Sequence, residues 1–124
     1  MTKDDGIVII SHSKDVARGI YDLIKQIAAD VPITYAGGTE DDGIGTSFDK
    51  VNQAFEKNPA QKIYAFYDLG SAKMNIETVK GLSDKEIFLC NAPILEGAYV
   101  AAAQLQIDGD EETVKQTLQP IEIK

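Results

Sequence analysis

Four short apolar runs, each followed by a segment with helical periodicity, constrain this 124-residue chain more than any other feature. "IVIIS" (7–11) is four aliphatic residues closed by a serine, as suits a strand covered on both faces. Val16, Ile20, Leu23, Ile24 and Ile27 then recur at helical spacing, predicting an amphipathic helix over roughly 14–29. Pro32 ends it, and "ITYA" (33–36) is a short second strand. Phe48, Val51 and Phe55 mark a second helix stopped by Asn58-Pro59, and "KIYAFYD" (62–68) is a third strand. A third helix follows over about 71–80, ending near Gly81, then the strand "EIFLC" (86–90). Pro93 opens a longer helix carrying Ile94, Leu95, Ala98, Ala101, Ala102 and Leu105. Val114 and Leu118 support a last short helix before Pro120. No repeat, low-complexity tract or linker divides the chain, so residues 1–124 read as one domain. Strands alternating with helices at these spacings predict an α/β three-layer sandwich: a mostly parallel four-stranded sheet covered by helices on both faces.

In such a sheet ligands bind at the carboxyl ends of the strands. The segments that fall there are Ser11-His12-Ser13, Gly37-Gly38, Asp68-Leu69-Gly70-Ser71 and Asn91-Ala92-Pro93. His12 is the sole histidine, and it stands between a buried strand and a helix N-terminus. A lone histidine is more often a satisfied structural residue, but this location favours chemistry. Asp68, at the end of the third strand, is the candidate to orient the imidazole through its other ring nitrogen. A helix cap or turn role for Asp68 is an equal alternative.

One histidine and one cysteine cannot supply a three- or four-ligand nitrogen/sulfur zinc site, so no metal is expected, and the reading calls for no cofactor. Cys90 reads as a small buried hydrophobe at a strand end. A nucleophilic imidazole without a Ser or Cys partner motif suggests phosphoryl transfer through a phosphohistidine. Backbone N–H groups around Ser13, Gly70 and Ser71, and in the loop from Gly43 to Thr46, could receive the phosphoryl oxygens. "GGTEDDGIGTS" fits neither GxxxxGK[ST] nor GxGxxG, which disfavours a direct nucleotide site. A plain surface loop is its alternative.

Charge narrows the partners. The net charge is −8 with a pI near 4.5, which argues against nucleic acid. No apolar run approaches the roughly 18 residues of a membrane span, and a cytoplasmic protein is expected. Lys73, Met74 and Asn75 are candidates for a partner-binding rim beside the histidine, Met74 facing its helix's core being nearly as good a reading.

"IVIISHS", "GGTEDDGIGTS", "DLGSAKMN" and "NAPILEGAYVAA" together resemble the mannose-type IIA domains of the bacterial sugar phosphotransferase system (PTS). The "SHS", "DLGSA" and "NAPILEGA" forms look like the branch serving phosphoenolpyruvate-dependent dihydroxyacetone kinases. Transporter members usually read "HG" after the first strand, where this chain has "SHS". The resemblance covers essentially the whole chain. It implies that His12 accepts phosphate from the histidine-phosphorylated carrier protein and passes it to ADP on a partner kinase subunit, with Asp68 as the acid beside it. It also implies a homodimer. The sequence ends at Lys124 without the carrier-like domains of some relatives, so a separate carrier protein is expected. A transporter component passing phosphate to a IIB domain, and a non-catalytic α/β regulatory module, are the alternatives.

Overall fold

The computed structural model describes residues 4–122. In chain order the elements are β1 (Asp5–Ser11), α1 (Lys14–Ile27), β2 (Ile33–Gly37), α2 (Phe48–Lys57), β3 (Lys62–Tyr67), α3 (Gly70–Leu82), β4 (Glu86–Cys90), α4 (Ile94–Gln106) and α5 (Glu111–Leu118). A 3₁₀ turn, Gln119–Ile121, follows. The strands form one sheet in the order β2-β1-β3-β4, every pair parallel.

The aliphatic run of β1 is buried on both faces because the pleat sends alternate side chains to two separate cores. Ile7 and Ile9 join Tyr64 and Phe66 under α1, α4 and α5, where Ile20, Ile24, Ala98, Ala102, Leu105 and Val114 cover them. Val8 and Ile10 join Ile63 and Ala65 on the opposite face, under Val51 and Phe55 of α2 and Ala72, Ile76 and Val79 of α3. Each fully buried aliphatic side chain contributes roughly 1.5–3 kcal/mol from burial. The three-layer expectation is met, and element boundaries fall within about two residues of those read from periodicity.

The buried face of α1 differs from the expected one. Ala17, Ile20 and Ile24 face the sheet, while Val16 and Leu23 are exposed. Both sets sit at helical spacing, one residue apart, and the small Ala17 side chain lets the start of α1 lie close to the strands. Gly37 is another close approach. A Cβ there would lie 2.6 Å from the Ser13 carbonyl oxygen and 2.7 Å from Lys14 Cα, so only glycine lets β2 pass beneath the first turn of α1.

Candidate functional site

The order β2-β1-β3-β4 puts the topological switch between β1 and β3, and the two segments that leave these strands meet there. His12 follows β1 directly, and Asp68 follows β3. The Asp68 carboxylate accepts four hydrogen bonds. Oδ2 takes the Ser11 hydroxyl at 2.7 Å and the His12 backbone N–H at 3.0 Å. Oδ1 takes the Leu69 N–H at 2.8 Å and faces His12 Nδ1 at 2.9 Å. An ionised carboxylate only accepts, so the proton of a neutral His12 sits on Nδ1 and the lone pair on Nε2. Burial pushes the Asp68 carboxyl upward, but the bonds from Ser11 and His12 outweigh it and hold the carboxyl below its ordinary value.

Nε2 points the other way, toward the hydroxyl of Ser71, which lies within hydrogen-bond contact. The His12 side chain keeps 17% of its surface accessible, and its contact with Ser71 lies at the exposed end while that with Asp68 is part-buried. Ser71 belongs to the first turn of α3, a helix without a side-chain cap. Leu69 N–H is used by Asp68 and Ala72 N–H by the Leu69 carbonyl. Gly70 and Ser71 therefore carry the first-turn N–H groups for which the helix offers no acceptor. The arrangement is an imidazole with one nitrogen held by a carboxylate and the other by a single exposed hydroxyl, beside a helix N-terminus suited to an anion.

Residues 6–115 match the EIIA-man family, described as the PTS system fructose IIA component. The chain belongs to the EIIA-man family. Across 124 residues, 100% of both chains, it is 66% identical to the phosphoryl donor subunit (DhaM) of PEP-dependent dihydroxyacetone kinase 1 of Listeria innocua. It is 44% identical over 119 residues to the phosphotransferase subunit of the PTS-dependent dihydroxyacetone kinase of Lactococcus lactis, covering 96% of this chain and 97% of that one. A crystal structure of a protein of unknown function superposes with a TM-score of 0.83 at 26% identity, covering 100% of this chain and 98% of the other. Within EIIA-man, the chain is of the dihydroxyacetone-kinase type.

The remaining expected residues of this EIIA-man chain divide between the site and its frame. Ser13 caps α1: its Oγ accepts from Val16 N–H at 3.3 Å, and its own N–H donates to Ser11 Oγ at 3.0 Å. Only its hydroxyl proton is left to donate. In the Gly-rich loop, Gly45 N–H donates to the His12 carbonyl at 2.8 Å, and Gly43 N–H to Thr39 Oγ1 at 3.0 Å. The first holds the loop against the histidine, and the second closes the loop on itself. Thr46 and Asn75 belong to each other, since Asn75 Nδ2 donates to Thr46 Oγ1 at 3.0 Å and ties the loop to α3. Asn91 is tied to β3 through Tyr67 Oη at 2.6 Å.

Met74 is 68% exposed, so it does not face the core of its helix. Leu69 (59%) and Ile44 (80%) are exposed with it, one adjoining Asp68 and the other adjoining Gly45. Burial pushes the Cys90 thiol up to about 12, which leaves it unreactive at neutral pH. Among the described residues no group of three His, Cys, Asp or Glu side chains could hold a metal ion.

Ser11 is named in the sequence only as part of the first strand-end segment, with no role of its own. It is fully buried, and it both donates to Asp68 and accepts from Ser13. Its signal was a serine closing an otherwise aliphatic buried strand, where a hydroxyl needs a partner.

Proposed function

We propose that this chain is the phosphoryl donor subunit of a PTS-dependent dihydroxyacetone kinase, relaying phosphate through His12 Nε2. The observation that carries the reading is the bond between His12 Nδ1 and Asp68, which leaves Nε2 as the open nucleophile. In the first step the Nε2 lone pair attacks the phosphorus of the histidine-phosphorylated carrier protein. The new N–P bond forms as the carrier's N–P bond breaks, and the carrier's imidazole keeps that electron pair. The Nδ1 proton stays in place, and the Asp68 charge offsets the positive charge of the phosphorylated ring. The Ser71 hydroxyl and the Gly70 and Ser71 N–H groups supply donors for the phosphoryl oxygens. In the second step a terminal oxygen of ADP, held on the partner kinase subunit, attacks the phosphorus. A P–O bond forms, the N–P bond breaks, and its electron pair returns to Nε2.

Both partners need close, nearly in-line access to Nε2, which assigns docking to the surrounding rim of Ile44, Leu69, Lys73, Met74 and Asn75. The family resemblance supports a homodimer in the cytoplasm. Among the described residues no helix is long and apolar enough to cross a membrane.

Incubation with phosphoenolpyruvate, enzyme I and carrier protein tests the reading. The wild type should form an acid-labile, base-stable phosphoryl adduct that discharges onto the ADP-loaded kinase subunit. His12→Gln should keep its circular dichroism and lose the adduct. Labelling retained in that variant would remove His12 from the mechanism. Discharge only to a IIB domain would reassign the chain to sugar transport.

A further inference from the structure

We propose that the outer edge of β2 is a docking groove for an acidic, extended segment of a partner protein, which joins the sheet as a fifth strand. β2 ends the sheet on one side. Two bonds fix which of its backbone groups face inward: Ile7 N–H to Pro32 O at 2.9 Å, and Gly38 N–H to Ser11 O at 3.4 Å. The parallel pattern alternates, so Pro32, Thr34 and Ala36 serve β1 while Ile33, Tyr35 and Gly37 turn their N–H and C=O groups outward. Lys50 Nζ donates to the Gly37 carbonyl at 3.2 Å, which confirms that direction.

α1 and α2 flank this edge and leave a groove of about 490 Å³ between them. One wall is the α2 face of Lys50, Gln53 and Lys57, at helical spacing. The other is Tyr21 of α1 packed on Tyr35, with ring centroids 5.0 Å apart, and Lys14 at the end near the site. Among the described residues three lysines and no carboxylate line the groove, in a chain whose net charge is −8. Asp42 reaches in only at that end, where it pairs with Lys50 at 2.6 Å and Lys14 at 3.4 Å. Such a local reversal of sign selects an acidic occupant.

The two walls specify the segment's pattern. An added strand sends alternate side chains toward α1 and α2. Those facing Tyr21 and Tyr35 are apolar, and those facing Lys50 and Lys57 are acidic. Seven residues of helix separate these lysines by ~10 Å. Same-face positions on a strand lie ~7 or ~13 Å apart, a difference flexible lysine side chains take up. Edge lysines also serve to repel strand pairing, and this use predicts no selectivity for such a segment.

The probe is the blocked peptide Val-Glu-Val-Glu-Val, titrated to millimolar concentration into the ¹⁵N-labelled chain, with Val-Lys-Val-Lys-Val as control. The Ile33 and Tyr35 amides should shift and exchange with solvent at least tenfold more slowly, with the acidic peptide alone. The variant Gln53→Glu/Lys57→Glu alters two exposed positions and should weaken binding about tenfold. Absence of amide protection, equal binding of the lysine peptide, or indifference to the double variant would overturn the proposal. Sedimentation showing that the double variant dissociates a self-associated form would overturn it in favour of a second copy as occupant.

Discussion

Asp68→Asn changes one atom, and the site's geometry fixes how much that costs. The carboxylate accepts four bonds, whereas an asparagine offers one accepting oxygen and an amide that donates. With the amide toward His12 Nδ1, the ring must move its proton to Nε2, and the open nitrogen loses its lone pair. A wrong tautomer in a histidine–carboxylate pair costs about 10⁴-fold in rate. With the amide toward Ser11, the hydroxyl can turn to accept and the tautomer survives, but the charge opposite the ring is gone. General acid–base contributions put that loss near 10²-fold. Either orientation aims the amide at a backbone N–H, of Leu69 or of His12, and strands it at a stability cost of about 1–3 kcal/mol. The expected loss in phosphoryl acceptance is therefore ~10²–10⁴-fold, or about 2.7–5.5 kcal/mol on the barrier. Rapid-quench labelling from phosphorylated carrier measures it, and ¹⁵N chemical shifts of the imidazole identify the tautomer. A variant that accepts phosphate within a factor of about three of wild type would refute the role given to the Asp68 charge.

Ser11→Ala removes a bond to a half-buried carboxylate and strands the Ser13 N–H. It should slow phosphoryl acceptance about tenfold at unchanged affinity for the carrier, seen as a fall in kcat with KM preserved. Gly37→Ala drives a Cβ to 2.6 Å from a backbone oxygen, and denaturant titration should show a loss of about 1–3 kcal/mol. The carboxyl of Asp68 titrates lower in the folded state than in the unfolded chain, so its stabilising contribution is present above the unfolded value near 4 and is lost as pH falls through the folded one. The stability gap between wild type and Asp68→Asn should accordingly stay constant above about pH 5 and narrow below about pH 4, measured by urea unfolding.

The layers were legible because two periodicities dominate: unbroken aliphatics in β1 and helical spacing after each strand. His12 and Asp68 were legible because a parallel sheet delivers its strand ends to one edge. The face of α1 was misread because Val16 and Leu23 compete with Ala17 and Ile24 at the same spacing. Hydrophobicity favours the larger pair, and packing distance favours the smaller. Ser11 stayed hidden because its role exists only across 57 residues of sequence, in a bond to Asp68. The bonds from Gly45 to His12 and from Asn75 to Thr46 are of the same kind, as no local signal announces them.

With Nδ1 committed to Asp68, His12 has one usable nitrogen on a largely enclosed ring. Donor and acceptor proteins must then use the same berth in turn, and each cycle contains two departures as well as two transfers. At a turnover of ~10 s⁻¹ neither departure can be much slower than that. With association at 10⁶–10⁷ M⁻¹s⁻¹, typical of proteins, dissociation constants below about 1 μM would stall the traffic. A relay with a single door is thus selected for brief visits, and stronger grip on either visitor lowers the flux through both.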